Sequence, residues 1–418
     1  MAVFIASSPN TQKDDLQLIR TILRKPGHWH RQDSRDVHEF ARNLMKFQNA
    51  RHVFCYNTGR AALYSILKAI NIKPGDEVII QAYTCLAVPT GIIWAGARPI
   101  FSDIDPGTFN ISPPEVKGKI RANTRAVIVQ HTFGEPAKIN QIREIIDEAN
   151  AKRQESHKIY LIEDCAHSIG GIHQEHKIGS IGDAAFFSFG QDKAISCTQG
   201  GAVSTNDEII ATSLTHHYSS LPNQSKATVF RHLIHPILWN TINRTYYTPP
   251  VLSIGKGLIL SCRAMGLLRK QVDTDLRILK TPDIRRLSDA QSLLVNNQLA
   301  KIDKFISHRR HIASIYNETI PKVLRVSGKE HTFLRFPLQV EDPQRLTSEL
   351  KRKRVIQGNW YFSPIHPLTC GFESVGYTTG SCPNAESAAQ MSINLPTHIN
   401  VTSEDASRIA AIVSDHLV

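Results

Sequence analysis

The sequence predicts an α/β fold, a mostly parallel sheet with helices on both faces, followed by a smaller α+β unit. Three observations lead there. Between residues 52 and 205, apolar runs of strand length alternate with stretches of helical spacing. Two of the runs, 125–130 and 158–163, are nearly continuously apolar, as strands covered on both faces must be. Beyond residue 320 the alternation gives way to shorter, mixed elements.

Each element has its own signal. Polar helices are expected around 16–23 and 37–47. A short strand at 52–56 is followed by a helix over 60–70, whose apolar residues Ala61, Leu63, Ile66, Leu67 and Ile70 share one face. Pro74-Gly75-Asp76 is a turn into a strand at 77–81. A helix at 87–94, strands at 98–102 and 125–130, a helix at 139–151 and strands at 158–163, 184–189 and 201–205 complete the sheet. One long helix is expected from Ser288 to about 317, with Ser288-Asp289 as its cap. A strand at 332–340, a helix at 343–351, a strand near Val355 and a closing helix at 403–416 form the last unit. The expected division is a large domain over 1–285 and a small domain over 286–418.

The chain has 418 residues, enough for a large core and two or three domains. Residues 1–10 lack a charged start and a long apolar run, so no signal peptide is expected. The seven cysteines form no CxxC pair, which fits reduced thiols in a cytoplasmic protein and gives no reason to expect a structural metal. Residues 209–272 contain no Asp or Glu but seven Lys or Arg: Lys226, Arg231, Arg244, Lys256, Arg263, Arg269 and Lys270. No recognition helix, zinc finger or RNA-binding signature accompanies this charge, so nucleic acid is not expected as a partner. The segment is no membrane span, because Lys256 and Arg263 interrupt its best apolar run and Pro236, Pro249 and Pro250 break it further. It is expected to cover the active site or a subunit interface. The alternative is a helix pair docking on anionic lipid.

The chemistry concentrates in Phe187-Ser188-Phe189-Gly190-Gln191-Asp192-Lys193 and, upstream, Leu161-Ile162-Glu163-Asp164-Cys165-Ala166-His167. Ligands of parallel sheets sit at the carboxyl ends of strands, where Asp164 and Ser188 fall. A lysine, carboxylate, hydroxyl and imidazole in such places suit pyridoxal 5'-phosphate (PLP). Lys193 would condense with the aldehyde and Asp164 would hold the ring nitrogen protonated. Ser188 would take the phosphate, and His167 would bond the ring oxygen or stack. A surface lysine or a structural histidine explains either residue taken alone; the combination favours PLP. Asn57-Thr58-Gly59-Arg60 joins a strand to a helix, and helix-end N–H groups beside Gly59 make a second contribution to a phosphate cradle.

These motifs resemble the DegT/DnrJ/StrS family of sugar aminotransferases. Thr58-Gly59-Arg60-Ala61-Ala62-Leu63 is similar to the family's Ser-Gly-Thr-Ala-Ala-Leu turn, and Glu163-Asp164-Cys165-Ala166-His167 to its Glu-Asp-Ala-Ala-His/Gln run. Pro74 to Ile79, Asp103-Ile104-Asp105-Pro106 through Ile111, Gly182 through Lys193 with Gly200-Gly201, Pro364-Ile365-His366-Pro367, Pro383-Asn384-Ala385-Glu386 and Leu395-Pro396 also match. The resemblance implies the aspartate-aminotransferase-like architecture (PLP fold type I), a homodimer with shared active sites, L-glutamate or glutamine as donor, and a nucleotide-linked keto sugar as acceptor.

Three departures mark a divergent branch. Cys85 stands where the family places an aromatic ring on the cofactor, which leaves Tyr83 or another group to stack there. Arg60 replaces a threonine. Pro282-Asp283-Ile284-Arg285-Arg286-Leu287 stands for Gly-Tyr-Asn-Tyr-Arg-Met, whose asparagine reaches the partner subunit's phosphate; Ile284 cannot, and Arg285 or Arg286 is the candidate replacement. His366, Arg285 and Arg286 are the candidate substrate contacts. The expected function is PLP-dependent amino transfer to a keto sugar in making a surface polysaccharide or glycosylated metabolite. The expected location is cytoplasmic, with peripheral contact at the inner membrane face as the alternative. Rivals are a sugar dehydratase, which in this family goes with loss of the lysine, and a non-catalytic regulator or assembly protein.

Overall fold

Seven strands make one sheet: β1 (His52–Tyr56), β2 (Glu77–Gln81), β3 (Arg98–Ser102), β4 (Thr124–Gln130), β5 (Tyr160–Asp164), β6 (Ala184–Ser188) and β7 (Gly201–Thr205). Their order is β1-β7-β6-β5-β4-β2-β3. β7 runs antiparallel to both neighbours, and every other neighbouring pair is parallel. The structure is a computed structural model that describes residues 3–5, 8–25, 27, 34–247, 254–268, 282–320, 330–358, 360–369 and 371–417. All residues of β2 and β4 are buried, which is why their centres, Val78–Ile80 and Ala126–Val129, are apolar without alternation.

Helices cover both faces of the sheet. On one face, α3 (Gly59–Ala69) and α4 (Ala87–Ala95) pack Leu63, Ile66 and Ile92 on Ile80, Ile128, Ile162 and Phe186. On the other, α2 (Arg35–Gln48), α10 (Asp289–Leu299) and α11 (Ile302–Thr319) pack Phe40, Leu44, Leu294 and Phe305 on Ala185 and Phe187. Alternate residues of β6 thus serve opposite layers, as the two-residue period of a strand requires. α6 (Ile139–Asn150) covers Val127, Val129 and Leu161. Further helices among the described residues are α1 (Lys13–Arg24), α5 (Pro113–Lys119), α7 (Glu208–Ser219), α8 (Lys226–Thr245), α9 (Ile254–Ala264), α12 (Pro343–Arg352), α13 (Pro383–Met391) and α14 (Ser403–Leu417). β8 (Phe336–Gln339) and β9 (Ser392–Leu395) form an antiparallel pair. A further apolar cluster there includes Tyr316, Leu346, Leu350 and Ile409.

Two expectations need correction. The single helix expected from Ser288 to about 317 is two helices, α10 and α11. Ser288 does cap the first, its Oγ accepting from Gln291 N. The break is at Lys301, whose backbone leaves the helical region (φ −109°, ψ 4°) while its ammonium binds Asp14 at 2.7 Å and Asp15 at 3.0 Å. The apolar pattern runs through the break, so spacing alone could not reveal it. Nor does Pro236 break its segment, for it sits inside α8. Proline lacks the N–H that would bond the carbonyl four residues back. Here Thr198 Oγ1 donates to that carbonyl, His232 O, at 2.8 Å. Residues 248–253 and 269–272 of the acid-free segment, with Pro249 and Pro250, lie outside the described residues, as does Cys370. Among the described residues, no helix is long and apolar enough to cross a membrane.

The chain's start belongs to this architecture. Val3–Phe4 pairs in parallel with Val355–Ile356. A few residues on, Ser8 N donates to Gln191 O at 3.2 Å. Asn10 Nδ2 donates to Lys193 O at 2.7 Å and Ala194 O at 3.0 Å. Arg309 Nη2, from α11, donates to Asn10 Oδ1 at 2.9 Å.

Candidate active site

Asp164 ends β5, level with Gln130 of β4 and Phe186 of β6. It therefore lies at the carboxyl edge of the parallel sheet. Among the described residues its buried carboxylate accepts one hydrogen bond, from Ala166 N to Oδ1 at 2.9 Å. Burial pushes its pKa up, against the pull of that bond and of the Lys193 charge. Lys193 lies on the loop between β6 and β7, held from below by Asn10. Burial holds its amine below the usual lysine range, with Cys85 and Asp164 opposing and Arg335 assisting. A lysine so placed more readily offers a neutral amine.

The turn of residues 57–60 meets the same edge. Thr58 caps α3, its Oγ1 accepting from Ala61 N at 3.0 Å. A methyl group on Gly59 would stand 3.0 Å from Ser188 Cβ and 3.3 Å from Ser188 Oγ, so glycine lets the helix end close on that hydroxyl. A methyl on Gly201 would collide with the Thr58 carbonyl. Helix-end N–H groups and a hydroxyl are thereby gathered beside Asp164 and Lys193, and this donor set fits a phosphorylated pyridine cofactor. Arg60 lays its guanidinium over Trp94 of α4, 5.2 Å from the ring centre.

His167 is buried in a stack. Its ring lies 5.9 Å from Phe133 and 5.3 Å from Trp360, with interplanar angles of 5° and 14°. Nδ1 accepts from Phe133 N at 3.2 Å, and Nε2 faces Tyr361 Oη at 3.4 Å. That pattern makes it neutral with the proton on Nε2. Burial, then the Lys193 and Arg335 charges, hold its pKa well below the histidine range.

Tyr83 lies deeper. It stacks on Phe109 at 5.5 Å, and its hydroxyl accepts from Tyr361 N at 3.4 Å. Burial raises its pKa to about 12. The ring on Lys193 is instead Trp360, 4.8 Å from Nζ to the ring centre. Cys85 pairs in register with His366 in a short parallel bridge, Thr84–Cys85 with Ile365–His366, which puts His366 at the site's wall. Burial and the Arg335 charge lower the His366 pKa to about 3, so it is a neutral imidazole.

Arg285 and Arg286 lie at the far side of the 57–60 turn. Asn57 Oδ1 accepts from Arg285 N, and Arg285 N–H groups reach Asp283 Oδ1 and Asn223 O. Arg286 bonds Ser219 O and packs on Tyr218. Sequence reading missed Asn10, Phe133, Arg335, Trp360 and Tyr361. Only the density of aromatics at 360–362 before Pro364-Ile365-His366 offered a signal.

The profile of the DegT/DnrJ/EryC1/StrS aminotransferase family matches residues 9–233 and 261–414. A pleiotropic regulatory protein of Geobacillus stearothermophilus is 27% identical over 86% of this chain and 83% of its own. A GDP-perosamine synthase of Caulobacter vibrioides is 25% identical over 93% of this chain and 92% of its own. Among solved structures, Helicobacter pylori PseC, an aminotransferase involved in the biosynthesis of pseudoaminic acid, superposes with a TM-score of 0.74 at 18% identity, over 99% of both chains.

Proposed function

Because the chain belongs to the DegT/DnrJ/EryC1/StrS aminotransferase family, we propose that it moves an amino group from L-glutamate or L-glutamine to a nucleotide-linked keto sugar, using PLP. The observation that carries this reading is the pairing of Lys193, held towards its neutral form, with the buried carboxylate of Asp164 at one sheet edge. PLP, when bound, supplies an electron sink for the substrate carbon that loses or gains the amine.

The chain's own residues do the rest. Asp164 would keep the cofactor's ring nitrogen protonated, and that cation would balance its buried charge. Gly59, Thr58 and Ser188 would hold the phosphate. His167, kept neutral, would offer the Nε2 proton. Lys193 Nζ would accept and pass on the proton that leaves the substrate carbon. Asn10 fixes the backbone of Lys193 while its amine moves. His366 and Cys85 line the acceptor side. Arg285 and Arg286 serve at the subunit boundary of a cytoplasmic homodimer with shared sites, and 1–285 and 286–418 act as large and small domains.

We read the described residues of the acid-free segment, 209–247 and 254–268, as part of the enzyme body rather than a lipid anchor. α8 buries Val229, Leu233 and His235, and Ser8 Oγ meets His235 Nδ1 at 3.3 Å. A regulatory role, in line with the name of the Geobacillus relative, makes no demand on Lys193. One experiment separates the two. The purified protein incubated with PLP should gain a visible absorption band, lose it on adding L-glutamate or L-glutamine, and regain it with a keto-sugar nucleotide from a panel. A protein that takes up no PLP, or whose band no amino donor alters, would refute the enzymatic reading.

A further inference from the structure

A groove of about 720 Å³ opens between the start of α1, the second half of α8 and the chain around Ser8 and Thr11. That is the size of a small-molecule site. Lys193, Asp164, Ser188 and His167 do not line it. Two cations do, Lys13 and Arg244, and among the described residues neither side chain has an ion-pair partner. The one acid in the lining, Asp14, is already held by Lys301 at 2.7 Å and by Asn297 at 2.9 Å. Two polar atoms of the lining residues are buried and unmet. His398 is 5% exposed, and its Nδ1 accepts from Asn400 N at 3.3 Å. Burial, then the Arg309 charge, lowers its pKa to about 3, so the ring is neutral with its proton on Nε2. That Nε2 comes near the Phe4 backbone but makes no hydrogen bond there. Asn243 Oδ1 is likewise buried without a partner. Such atoms are costly when left unmet.

We propose that this groove is a second binding site, for a phosphorylated sugar. Uncompensated lysine and arginine side chains call for an anion, and phosphate oxygens suit both. The carboxamides of Asn240 and Asn243 can each donate and accept, and with the His398 N–H they match a set of hydroxyl groups. A bare phosphate ion would leave most of the groove unfilled. Pro236, Asn240, Asn243 and Arg244 fall between the two stretches that match the family profile, 9–233 and 261–414. The site is therefore built with a part of the chain that the profile does not cover, and it gives the acid-free segment a task of its own. It also stands where it can act on the reactive lysine. Ser8 and Thr11 line the groove, and between them Asn10 holds Lys193 O at 2.7 Å, while Ser8 N holds Gln191 O at 3.2 Å. A ligand that bridges α8 to this stretch steadies the loop that carries Lys193.

The test is calorimetric titration of the PLP-loaded protein, whose phosphate cradle is then filled. The probes are inorganic phosphate, glucose 1-phosphate, mannose 1-phosphate, UDP, GDP, UDP-glucose and GDP-mannose. At least one sugar ester should bind with a Kd below about 1 mM. Arg244→Gln should weaken it about tenfold and Asn240→Ala about three- to tenfold, the range for a charge-assisted and a neutral hydrogen bond. Both variants should discharge the cofactor band with amino donor, ligand absent, within about threefold of the wild-type rate, because the groove is separate from the reacting groups. Binding of a sugar 1-phosphate identifies the free ester as the ligand, and binding of the nucleotide-linked form alone identifies the sugar nucleotide.

A sugar ester whose affinity neither variant changes sits in the active site, and that result would overturn the inference. So would a panel with no binding below about 1 mM. Phosphate or a bare nucleotide binding as tightly as the sugar esters would make the groove an anion site only and overturn the sugar assignment. Saturating ligand should also change the donor-driven rate about twofold or more; an unchanged rate would overturn the link through Asn10. That last readout rests on the aminotransferase reading. The titration does not, so a protein whose band no amino donor alters would sink that reading and leave the binding result standing.

Discussion

Asp164→Asn should produce two opposite effects. The change removes a negative charge and keeps the shape. In the PLP-loaded enzyme it removes the carboxylate that balances the protonated ring nitrogen. Breaking a buried charge pair costs about 3–5 kcal/mol, which corresponds to a loss of roughly 10²–10⁴-fold in turnover at 1.36 kcal/mol per decade. Without PLP the sign reverses. Burial raises the Asp164 pKa in the folded chain. Between the unfolded value, about 3.9, and the raised folded value, the folded chain binds more protons than the unfolded one. Stability from this group therefore falls as pH rises through that window. Above it the wild-type apoprotein carries a buried charge with little compensation, and asparagine removes the penalty. Differential scanning calorimetry at neutral pH should show Asp164→Asn melting above wild type without PLP and gaining less than wild type when PLP is added. Turnover within tenfold of wild type, or a variant apoprotein that melts lower, would mean that Asp164 does not face the ring nitrogen.

Other expectations follow from the same geometry. Lys193→Ala should abolish turnover, and borohydride treatment should leave no cofactor attached to the chain; peptide mapping that finds the reduced adduct on another lysine in wild type would displace Lys193. Gly59→Ala pushes a methyl against Ser188 at 3.0 Å, so PLP titration should show affinity weakened about tenfold or more, about 1.4 kcal/mol, with the fold retained by circular dichroism. Vesicles of anionic lipid should not carry the protein in flotation at low salt, because α8 turns Val229, Leu233 and Ile242 into the protein; salt-sensitive binding lost on shortening residues 209–272 in a still-folded variant would restore the lipid-docking alternative.

What the sequence made legible was mainly local. The strands expected at 77–81, 98–102 and 201–205 match the observed limits, because each apolar run is bounded by turn residues or charges. Asp164, Ser188 and Lys193 were legible for the same reason: each sits at or just past the end of such a run. The helix break at Lys301 and the continuity of α8 through Pro236 were not. Both coincide with contacts to partners far away in sequence, Asp14 and Asp15 in one case and Thr198 in the other. Local propensity contains no information on such partners.

The same limit explains which site residues were missed, and it bears on how the site works. Asn10 binds Lys193 O across 183 residues. Arg335 and Trp360 come from beyond residue 330, and Phe133 from the end of β4. None has a motif around it, since each acts through position rather than through a local pattern. The residues that follow strand ends are those proposed to supply the chemistry: the Lys193 amine, the buried Asp164 carboxylate and the anion cradle of residues 58–59. Those brought in from the first ten residues and the last hundred close over that chemistry. The Trp360 indole packs against both the Lys193 amine and the Arg335 guanidinium.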